Sequence, residues 1–558
     1  MFEPPRDGAA GRNSAPPYLT EKSPAKSRYQ RPSNFLDRPD AIVIGSGIGG
    51  MTVASMLAQK KGKKVLLLEA GPTPGGATHC SEPDGWEFNC GIDSVGDMNP
   101  AVGRGFHRAN SDFLTRGNLD WARMPEVHEV CTFGDEVYEW ASSPEANAEW
   151  MNKKFPGEGN VKGYYDLEER IEARVWSWVV TKLLWRSVPL GLRDGFYAAT
   201  GGPWRNYMSR TTDQVLRGEL GFSRRLASIF SYMFGNYGAT PENSPFALHA
   251  INMNHYRTGS YYPVGGPGQI AECIIPTITA AGGQLAVSSA AERILVEDGR
   301  AVGVRLKSGE EIRSDLVISD CGAYPTLVDL IDPEVGAKYG FKERFGALAP
   351  SPGHGYLQLG YDEHIELPKH IIWAMASVPG KDPYDLSGAD AIYKNDQNLD
   401  GMGAYLLCPS ARDPSYPHRY PNKSTVMVLC ETTPEWNQRA RTDPAFKADL
   451  SAKLDARLME ITLKHIPALR GKTPAYRNAS FPVGCNPWSW MGGSYGLAPT
   501  KERFLEGTHW TRPQTDIQGL YLTGQDAFAP GFVGAMMGGR VCYTVVTGEI
   551  YNLLGKNP

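Results

Sequence analysis

Several features that would assign a protein to a broad class are missing from this sequence. Its 57 basic and 61 acidic side chains nearly balance, which gives a net charge of −4. A nucleic-acid-binding protein is expected to carry a basic excess or stripe, so we expect no nucleic-acid partner. The chain contains no apolar run of about 18 residues, so no transmembrane span is predicted. We also find no signal-peptide core and no internal repeat.

Cysteine is scarce and scattered. The nine cysteines of the 558 residues form no C-x-x-C pair, so neither a disulfide framework nor a zinc site is expected. The histidines show no metal-ligand spacing, and neither an H-E-x-x-H nor a G-x-S-x-G motif is present. We therefore predict no metal site. We also predict a reducing compartment, either the cytoplasm or, in a photosynthetic eukaryote, the plastid.

The stretch AIVIGSGIGGMTVASMLAQKKGKKVLLLEAG, residues 41–71, indicates a dinucleotide site. A β-branched strand leads into a G-x-G-x-x-G turn, a helix and a second strand that ends at an acid. The glycines allow a tight turn and close approach of a pyrophosphate, the helix N-terminus favours phosphate, and the acid can accept hydrogen bonds from ribose hydroxyls. The predicted contacts are Gly45, Ser46, Gly47, Ile48, Gly49, Gly50, Glu69 and Ala70.

Two further segments select FAD. An acid at Glu69, rather than an arginine, disfavours NADP but leaves NAD and FAD open. A second glycine-rich loop, which contains Gly75 and Gly76, follows directly. Near the end of the chain, GLYLTGQDAFAPGFVGA (519–535) predicts a strand that breaks at Gly524, a carboxylate at Asp526 and a helix beyond it. That carboxylate could bind the ribityl chain of a flavin, so we predict FAD as the cofactor.

Several segments together resemble the phytoene desaturase-like flavoproteins, and within them the branch of carotenoid isomerases and all-trans-retinol 13,14-reductases. The segments that carry the resemblance are IVIGSGIGG (42–50), GGATHCSEPDGWEFNCGIDSVG (75–96), KKFPGEGNVKGYYDLEERI (153–171), NSPFALHAINMNHYRTGSYYPVGGPGQIAECIIPTITAAGG (243–283), SYGLAPTKERF (494–504) and the 519–535 stretch. Many relatives carry Gly-Gly-Arg in the second loop, whereas this chain has a histidine at position 79, as the retinol-reductase branch does. The resemblance implies a long hydrophobic polyene, a retinoid or carotenoid, as substrate.

The predicted fold class is α/β, with a discontinuous Rossmann-type FAD-binding domain and a mixed α+β substrate domain. We predict a disordered tail at 1–38, the FAD-binding domain at 39–135, 256–335 and 478–558, and the substrate domain at 136–255 and 336–477. Within 282–323, the stretches EDGR and KSGEE predict hairpins, and LVIS predicts a buried strand. A further glycine-rich stretch, PVGGPGQI (263–270), predicts the start of a packed helix, because its prolines disfavour a second dinucleotide turn.

The segment 175–196 has two interpretations. Trp176, Trp178 and Trp185 stand among aliphatic residues together with Lys182 and Arg186, a mixture that suits the headgroup boundary of a bilayer. The alternative is a lid helix with buried tryptophans. If the segment contacts lipid, the protein is a peripheral membrane protein.

His79 is the candidate for a proton donor, because it follows the second glycine loop; the alternative is a structural hydrogen bond to cofactor or backbone. The resemblance implies an FAD-dependent oxidoreductase that saturates a C=C bond, with an external electron donor. Isomerisation or hydration with reduced FAD and desaturation remain alternatives. An amine oxidase of the same fold lacks support, since no aromatic cage is evident. An alternative outside the enzymes is an FAD-bearing carrier without enzymatic activity.

Overall fold

A computed structural model describes residues 29–184, 188–377, 379–386, 394–481, 489–505 and 509–549. Most of the predicted tail, residues 1–28, lies outside this range. The described remainder of the tail contacts the folded chain. Leu36 N donates to Gln284 Oε1 at 3.0 Å, and the Arg31 guanidinium lies against Glu310.

The secondary structure combines strands and helices, as the predicted fold class requires. The strands are β1 (Ala41–Ile44), β2 (Val65–Leu68), β3 (Cys80–Ser81), β4 (Phe88–Asn89), β5 (Trp121–Arg123), β6 (Val127–Phe133), β7 (Glu136–Ala141), β8 (Tyr261–Pro263), β9 (Gln284–Ala286), β10 (Ala291–Glu297), β11 (Arg300–Leu306), β12 (Glu311–Arg313), β13 (Val317–Ser319), β14 (Gly353–Tyr361), β15 (Ile371–Ala374), β16 (Ala404–Leu407), β17 (Ser424–Thr432), β18 (Tyr476–Ser480) and β19 (Leu520–Leu522).

The α-helices vary from one turn to six. They are α1 (Ile48–Lys61), α2 (Phe106–Thr115), α3 (Pro144–Lys154), α4 (Val161–Glu172), α5 (Val175–Leu183), α6 (Leu190–Thr200), α7 (Gly202–Met208), α8 (Arg224–Phe230), α9 (Phe246–Tyr256), α10 (Gly268–Thr279), α11 (Pro333–Lys338), α12 (Phe341–Arg344), α13 (Pro409–Arg412), α14 (Tyr416–Arg419), α15 (Pro434–Thr442), α16 (Pro444–His465), α17 (Lys501–Phe504), α18 (Gly524–Ala527) and α19 (Gly531–Thr547).

A five-stranded parallel sheet, in the order β19-β13-β1-β2-β9, forms the first half of the fold. Strands β1 (AIVI) and β2 (VLLL) are continuous apolar runs buried on both faces, as expected of a parallel sheet covered by helices. The carboxyl ends of parallel strands meet at one edge. That edge therefore collects residues that are far apart in the sequence: Gly45 after β1, Glu69 after β2, Asp320 after β13 and Thr523 after β19.

The predicted hairpins lie beside this sheet. β10 and β11 pair antiparallel, with Glu297 opposite Arg300, and β11 also pairs antiparallel with β12. LVIS forms β13, which pairs parallel with both β1 and β19.

A seven-stranded sheet, in the order β18-β14-β17-β16-β15-β6-β7, forms the second half. Its central strands are antiparallel, but β15 pairs parallel with β6. The domain division stays a prediction, with one difference at its first boundary. Val127–Phe133 was placed with the FAD-binding segments, yet as β6 it pairs with β15 of the second sheet. An apolar strand does not reveal which distant strand it pairs with.

The second sheet has one face toward a long helix and one toward a cavity. Leu357, Leu359 and Val428 are fully buried in the same apolar cluster as Leu454 of α16. A Cβ added at Gly355, on the same face, would lie 3.2 Å from Leu454 Cδ1. Side chains alternate along a strand, so the intervening residues point into the cavity.

A buried ion cluster holds the glycine-rich turn of the PVGGPGQI stretch (263–270) in position. Arg419 Nη1 lies 2.7 Å from Glu87 Oε2, and Arg419 Nη2 lies 2.5 Å from Asp413 Oδ2, with all three side chains buried. Gly265 N donates to Asp413 Oδ1 at 3.1 Å. Helix α10 then begins at Gly268, so PVGGPGQI does start a packed helix, as predicted.

The segment 175–196 is divided between interior and surface. Trp178 is 1% exposed, and its ring lies 4.7 Å from that of Phe528. Lys182 is also buried and donates to Thr511. Of the two interpretations, the packed helix with a buried tryptophan therefore fits these two side chains, and the lipid boundary does not, because both pack into the protein. Trp176 is 39% exposed, whereas Trp185 and Arg186 lie outside the described residues. Among the described helices, none is long and apolar enough to cross a bilayer.

Candidate active site

A cavity of about 1480 Å³ lies between the carboxyl edge of the five-stranded sheet and the open face of the seven-stranded sheet. Pockets for one drug-sized ligand usually measure about 300–1,000 Å³. The volume therefore suits a cofactor together with a second ligand. One end is lined by the predicted cofactor residues Gly45, Ser46, Gly47, Ile48, Glu69, Ala70, Gly76 and Asp526, together with His79.

The dinucleotide turn has the expected local geometry. Gly45 has φ +96°, a left-handed conformation that favours glycine. A Cβ at Gly50 would lie 2.2 Å from Gly45 O, so the helix packs on the turn as closely as the motif predicts. Glu69 Oε2 accepts from Ser46 N at 3.2 Å and from Ser46 Oγ at 2.5 Å, and its Oε1 accepts from Gly71 N at 2.7 Å. Glu69 thus joins the first turn to the second loop.

Gly49, Gly75 and Gly524 lie outside the cavity lining, and together with Gly76 they bring the loops into contact. Gly75 has φ +115°, and its amide donates to Ser46 Oγ at 3.0 Å. A Cβ at Gly76 would lie 3.1 Å from Gly47 Cα. A Cβ at Gly49 would lie 2.5 Å from Gly524 Cα, so the N-terminal and C-terminal motifs are in direct contact.

Asp320, which was not among the predicted residues, lines the cavity at the centre of this site. A Cβ at Gly47 would lie 2.4 Å from Asp320 Oδ2, and one at Gly49 would lie 2.5 Å from Oδ1. Burial raises the pKa of Asp320 to about 8; the Gly50 amide opposes this rise, and the Glu69 and Asp526 carboxylates add to it. The end of the predicted LVIS strand could have signalled this residue, because the carboxyl ends of parallel strands meet at the ligand site.

The Asp526 carboxylate accepts hydrogen bonds from two backbone amides, and its predicted contact with the ribityl chain stays a prediction. Its Oδ2 accepts from Ala323 N at 2.8 Å and its Oδ1 accepts from Leu497 N at 2.9 Å. The side chain is 4% exposed, although the residue lines the cavity. Both carboxylate oxygens thus hold neighbouring loops in position. A ribityl hydroxyl would have to donate to an oxygen that already accepts a hydrogen bond from the backbone.

His79 has both ring nitrogens engaged. Nδ1 lies 2.5 Å from Gly76 O, and Nε2 lies 3.2 Å from Cys90 Sγ. Burial by itself disfavours the charged imidazolium, but the Cys90 thiol, the Gly76 carbonyl and Glu69 outweigh it and raise the pKa of His79 to about 9. These contacts fit the structural alternative for His79, while its role in catalysis stays a prediction.

The seven-stranded sheet supplies the far wall, which mixes aromatic, aliphatic and amide side chains. Tyr356 and Gln358 (β14), Trp373 (β15), Tyr405 (β16), Met427 (β17) and Asn478 (β18) line the cavity. The Trp373 and Tyr405 rings lie 4.5 Å apart. Such a wall favours a long apolar or conjugated ligand with few polar contacts.

The cofactor end fits the dinucleotide part of FAD. The hypothetical Cβ positions at Gly47 and Gly49 fall 2.4–2.5 Å from neighbouring atoms, so only glycine fits at these two positions. They lie at the start of α1, where a pyrophosphate approaches the backbone in a turn of this kind. Glu69, the predicted ribose acceptor, lies beside this turn and lines the cavity.

The structure also brings together Asp97, His107 and His255, a set that could hold a metal ion. Its hydrogen bonds argue against that role. His255 Nε2 accepts from Gly96 N at 2.8 Å, so in the neutral ring Nδ1, which faces Asp97, carries the proton. The Arg104 guanidinium already pairs with the Asp97 carboxylate at 2.5 Å.

Comparisons with known proteins agree with this geometry. Residues 43–106 match a family model described as an NAD(P)-binding Rossmann-like domain, and residues 193–541 match the flavin containing amine oxidoreductase model. Cyclohexylamine oxidase from Brevibacterium oxydans shares the fold, with a TM-score of 0.56 and 16% identity over 93% of this chain and 100% of that structure.

Two curated relatives cover most of the chain. All-trans-retinol 13,14-reductase of Danio rerio is 30% identical over 91% of this chain and 86% of its own length. The chloroplastic prolycopene isomerase of Daucus carota is 29% identical over 93% of this chain and 81% of its own length. These matches confirm the predicted fold class, the FAD cofactor and the oxidoreductase class. The chain therefore belongs to the flavin containing amine oxidoreductase family, in the branch of the all-trans-retinol 13,14-reductases and carotenoid isomerases.

Proposed function

We propose that this FAD-dependent oxidoreductase acts on a hydrophobic polyene, a retinoid or carotenoid, and that it saturates one C=C bond. One observation carries the proposal: the same cavity runs from the dinucleotide turn to the aromatic and aliphatic wall of the second sheet. A flavin held at the first end and a polyene laid along the second would share one space. The relative named for 13,14-reduction supports saturation over the other reactions.

The residues of the chain would bind FAD, orient the polyene and exclude water from the cavity. Gly45, Gly47 and Gly50, with the start of α1, would hold the pyrophosphate, and Glu69 would accept the ribose hydroxyls. FAD, when bound and reduced, supplies a hydride from its N5 atom. Trp373 and Tyr405 would hold the polyene flat against the second sheet, which fixes the reacting bond relative to the cofactor.

The electron donor and the membrane contact belong to the same proposal. Reduction of a polyene consumes two electrons per turnover, which an external donor would have to supply. The polyene would be drawn from lipid, and an exposed apolar face lies near α5 and α6. Leu192 is 67% exposed and Trp176 is 39% exposed. The Trp176 and Phe196 rings lie 6.4 Å apart. We infer that this face rests on the lipid surface on the side of a reducing compartment.

Isomerisation is the second candidate, because prolycopene isomerase is 29% identical over most of the chain. The two reactions differ in product mass. The purified, chemically reduced protein is incubated anaerobically with all-trans-retinol, prolycopene and other polyenes, with free reduced FAD as the control. A product that has gained two hydrogens supports the proposal. A product of unchanged mass and altered double-bond geometry would make the protein an isomerase. A gain of one water would make it a hydratase, and a loss of hydrogen a desaturase.

If no polyene is changed although the protein holds reducible FAD, the enzymatic proposal fails. A non-enzymatic FAD-bearing carrier would then be the remaining function.

A further inference from the structure

A carboxyl and a phenol from different parts of the fold meet on the cavity wall. Asp93 lies in the loop after β4, beside the second glycine loop, and Tyr405 lies on β16. Tyr405 Oη donates to Asp93 Oδ2 at 2.8 Å, and Asn89 Nδ2 donates to Asp93 Oδ1 at 3.3 Å. Asp93 and Tyr405 both line the cavity and are only partly buried. Their open surface can therefore face a bound ligand.

We propose that Asp93 is the acid that protonates the polyene, and that Tyr405 positions it. This inference rests on the proposed polyene saturation and names the residue that would supply its proton. His79 is less suited to the task, because one ring nitrogen faces Gly76 O at 2.5 Å and the other faces Cys90 Sγ at 3.2 Å. Each ring nitrogen has a single bonding direction, so transfer from His79 would require one of these contacts to break. The two Asp93 oxygens also accept hydrogen bonds, but a carboxyl oxygen has a second lone pair that can hold the proton while those bonds remain. Asp93 already borders the cavity beside the aromatic wall.

The proposed step balances in atoms and electrons. The Asp93 proton adds to one carbon of a double bond, and the π electrons of that bond form the new C–H bond. The positive charge is delocalised along the remaining polyene. The cationic carbon then accepts a hydride from reduced flavin, which loses two electrons. Water returns a proton to the Asp93 carboxylate, so the acid is regenerated.

The wall beside Asp93 suits a delocalised cation. The Tyr405 ring lies 4.5 Å from that of Trp373, and the Trp373 ring lies 5.8 Å from that of Tyr232. All three residues line the cavity. The face of an aromatic ring attracts a nearby cation, and more strongly where water is excluded.

The surroundings of Asp93 favour its protonated form more than water does. Burial raises the pKa of Asp93, while the hydrogen bonds from Tyr405 and Asn89 and the charge of Arg412 lower it in part, and the net direction is upward. Arg412 Nη2 is directed to the Asp93 backbone carbonyl at 2.9 Å, not to its carboxylate. The other titratable groups that interact with Asp93 are Glu129, Tyr256 and Tyr495.

Replacement of the acid tests the inference directly. Holoenzyme reduced with dithionite is mixed anaerobically with all-trans-retinol, and product formation and flavin reoxidation are followed. Loss of a general acid costs about 10²–10⁴-fold in rate, so Asp93→Asn should slow both by that factor while flavin absorbance is retained. The matched control is Asp112→Asn, the same change on α2 at a carboxylate that pairs with Arg108 outside the cavity lining. It should leave the rate unchanged.

The phenol is tested by a pH profile, which a purely structural role would not move. The Tyr405 hydrogen bond stabilises ionised Asp93. In Tyr405→Phe the Asp93 pKa should therefore rise, and the basic limb of the rate profile should move to higher pH.

The outcomes separate the two claims. If reduced wild-type protein saturates all-trans-retinol but Asp93→Asn does so at the same rate, the assignment of Asp93 is wrong and the proposed function stands. If Tyr405→Phe leaves the profile in place, the positioning role is wrong. If wild-type protein with reducible FAD changes no polyene, the proposed function fails and the inference fails with it.

Discussion

The Asp320 carboxylate stands against Gly47, the second glycine of the dinucleotide turn: a Cβ at Gly47 would lie 2.4 Å from Asp320 Oδ2. In a Rossmann-type turn this glycine is where a pyrophosphate approaches the backbone. A carboxyl therefore shares the phosphate site, and its protonation should influence cofactor binding. A neutral Asp320 leaves the positive end of α1 available to the phosphates, whereas an ionised one repels them.

We expect the apoprotein to bind FAD more weakly as the pH rises through the Asp320 pKa of about 8, which burial raises from its usual range. FAD binding favours the protonated carboxyl, so above this pKa affinity should fall by about tenfold per pH unit. Asp320→Asn removes the ionisation and should flatten that part of the profile. Quenching of flavin fluorescence, measured at pH values on either side of the pKa, gives the FAD affinity of wild-type protein and of the variant. If FAD affinity falls with pH at the same slope in both proteins, Asp320 does not act on the phosphate site.

Glu69→Ala should weaken FAD binding by about 1–3 kcal/mol, because charge-assisted hydrogen bonds to the adenosine ribose are lost. Glu69 also accepts from Ser46 Oγ at 2.5 Å. Ser46→Ala is therefore the matched control, since it removes the internal contact and leaves the ribose acceptor. Calorimetric titration of both apoproteins separates the roles. An equal loss in both variants would mean that Glu69 acts through the turn and not on the ribose.

Trp176 and Trp178 should respond oppositely to replacement. Trp178 is 1% exposed and contacts Trp204, Phe504 and Phe528, so Trp178→Ala should reduce the free energy of unfolding by about 3–5 kcal/mol. Trp176→Ser should change it by less than about 0.5 kcal/mol, yet release protein from anionic liposomes. Denaturant unfolding and liposome flotation measure the two effects. Unchanged flotation of Trp176→Ser would exclude this face as the lipid contact.

Arg419→Met should lower the free energy of unfolding by about 3–5 kcal/mol, because the buried carboxylates of Glu87 and Asp413 would lose their cation. The matched control is Arg313→Met, since Arg313 pairs with Glu297 at the exposed surface. Its effect should stay below about 1 kcal/mol. Comparable losses in the two variants would show that the buried cluster is not an anchor between the halves of the fold.

The cofactor turn could be predicted from the sequence because all of its features are local. A strand, glycines at fixed spacing, a helix and an acid all fall within residues 41–71, and the physical role of each depends on its neighbours. The hairpins and β13 were predictable for the same reason, since turn residues flank apolar runs.

What sequence reasoning missed depends on long-range packing. Asp320 reaches the cofactor turn only because β13 pairs with β1 from a distant part of the chain. Asp93 and Tyr405 meet only because the loop after β4 packs on the second sheet. In the sequence Trp178 suits either a bilayer boundary or a buried helix, and its burial against Phe528 depends on the connection between α18 and α19 near the other end of the chain. The end of β13 marks Asp320 as a candidate, but no local pattern identifies the distant partner of Asp320, Asp93 or Trp178.

The most direct test of polyene saturation is the fate of the flavin electrons. The protein is loaded with FAD, reduced with a measured amount of dithionite, and mixed anaerobically with all-trans-retinol while the flavin absorbance is recorded. We predict that the oxidised flavin spectrum returns, with one saturated product formed for each flavin reoxidised. If the flavin stays reduced while the polyene is converted, the reaction is not a saturation, and the central claim is contradicted.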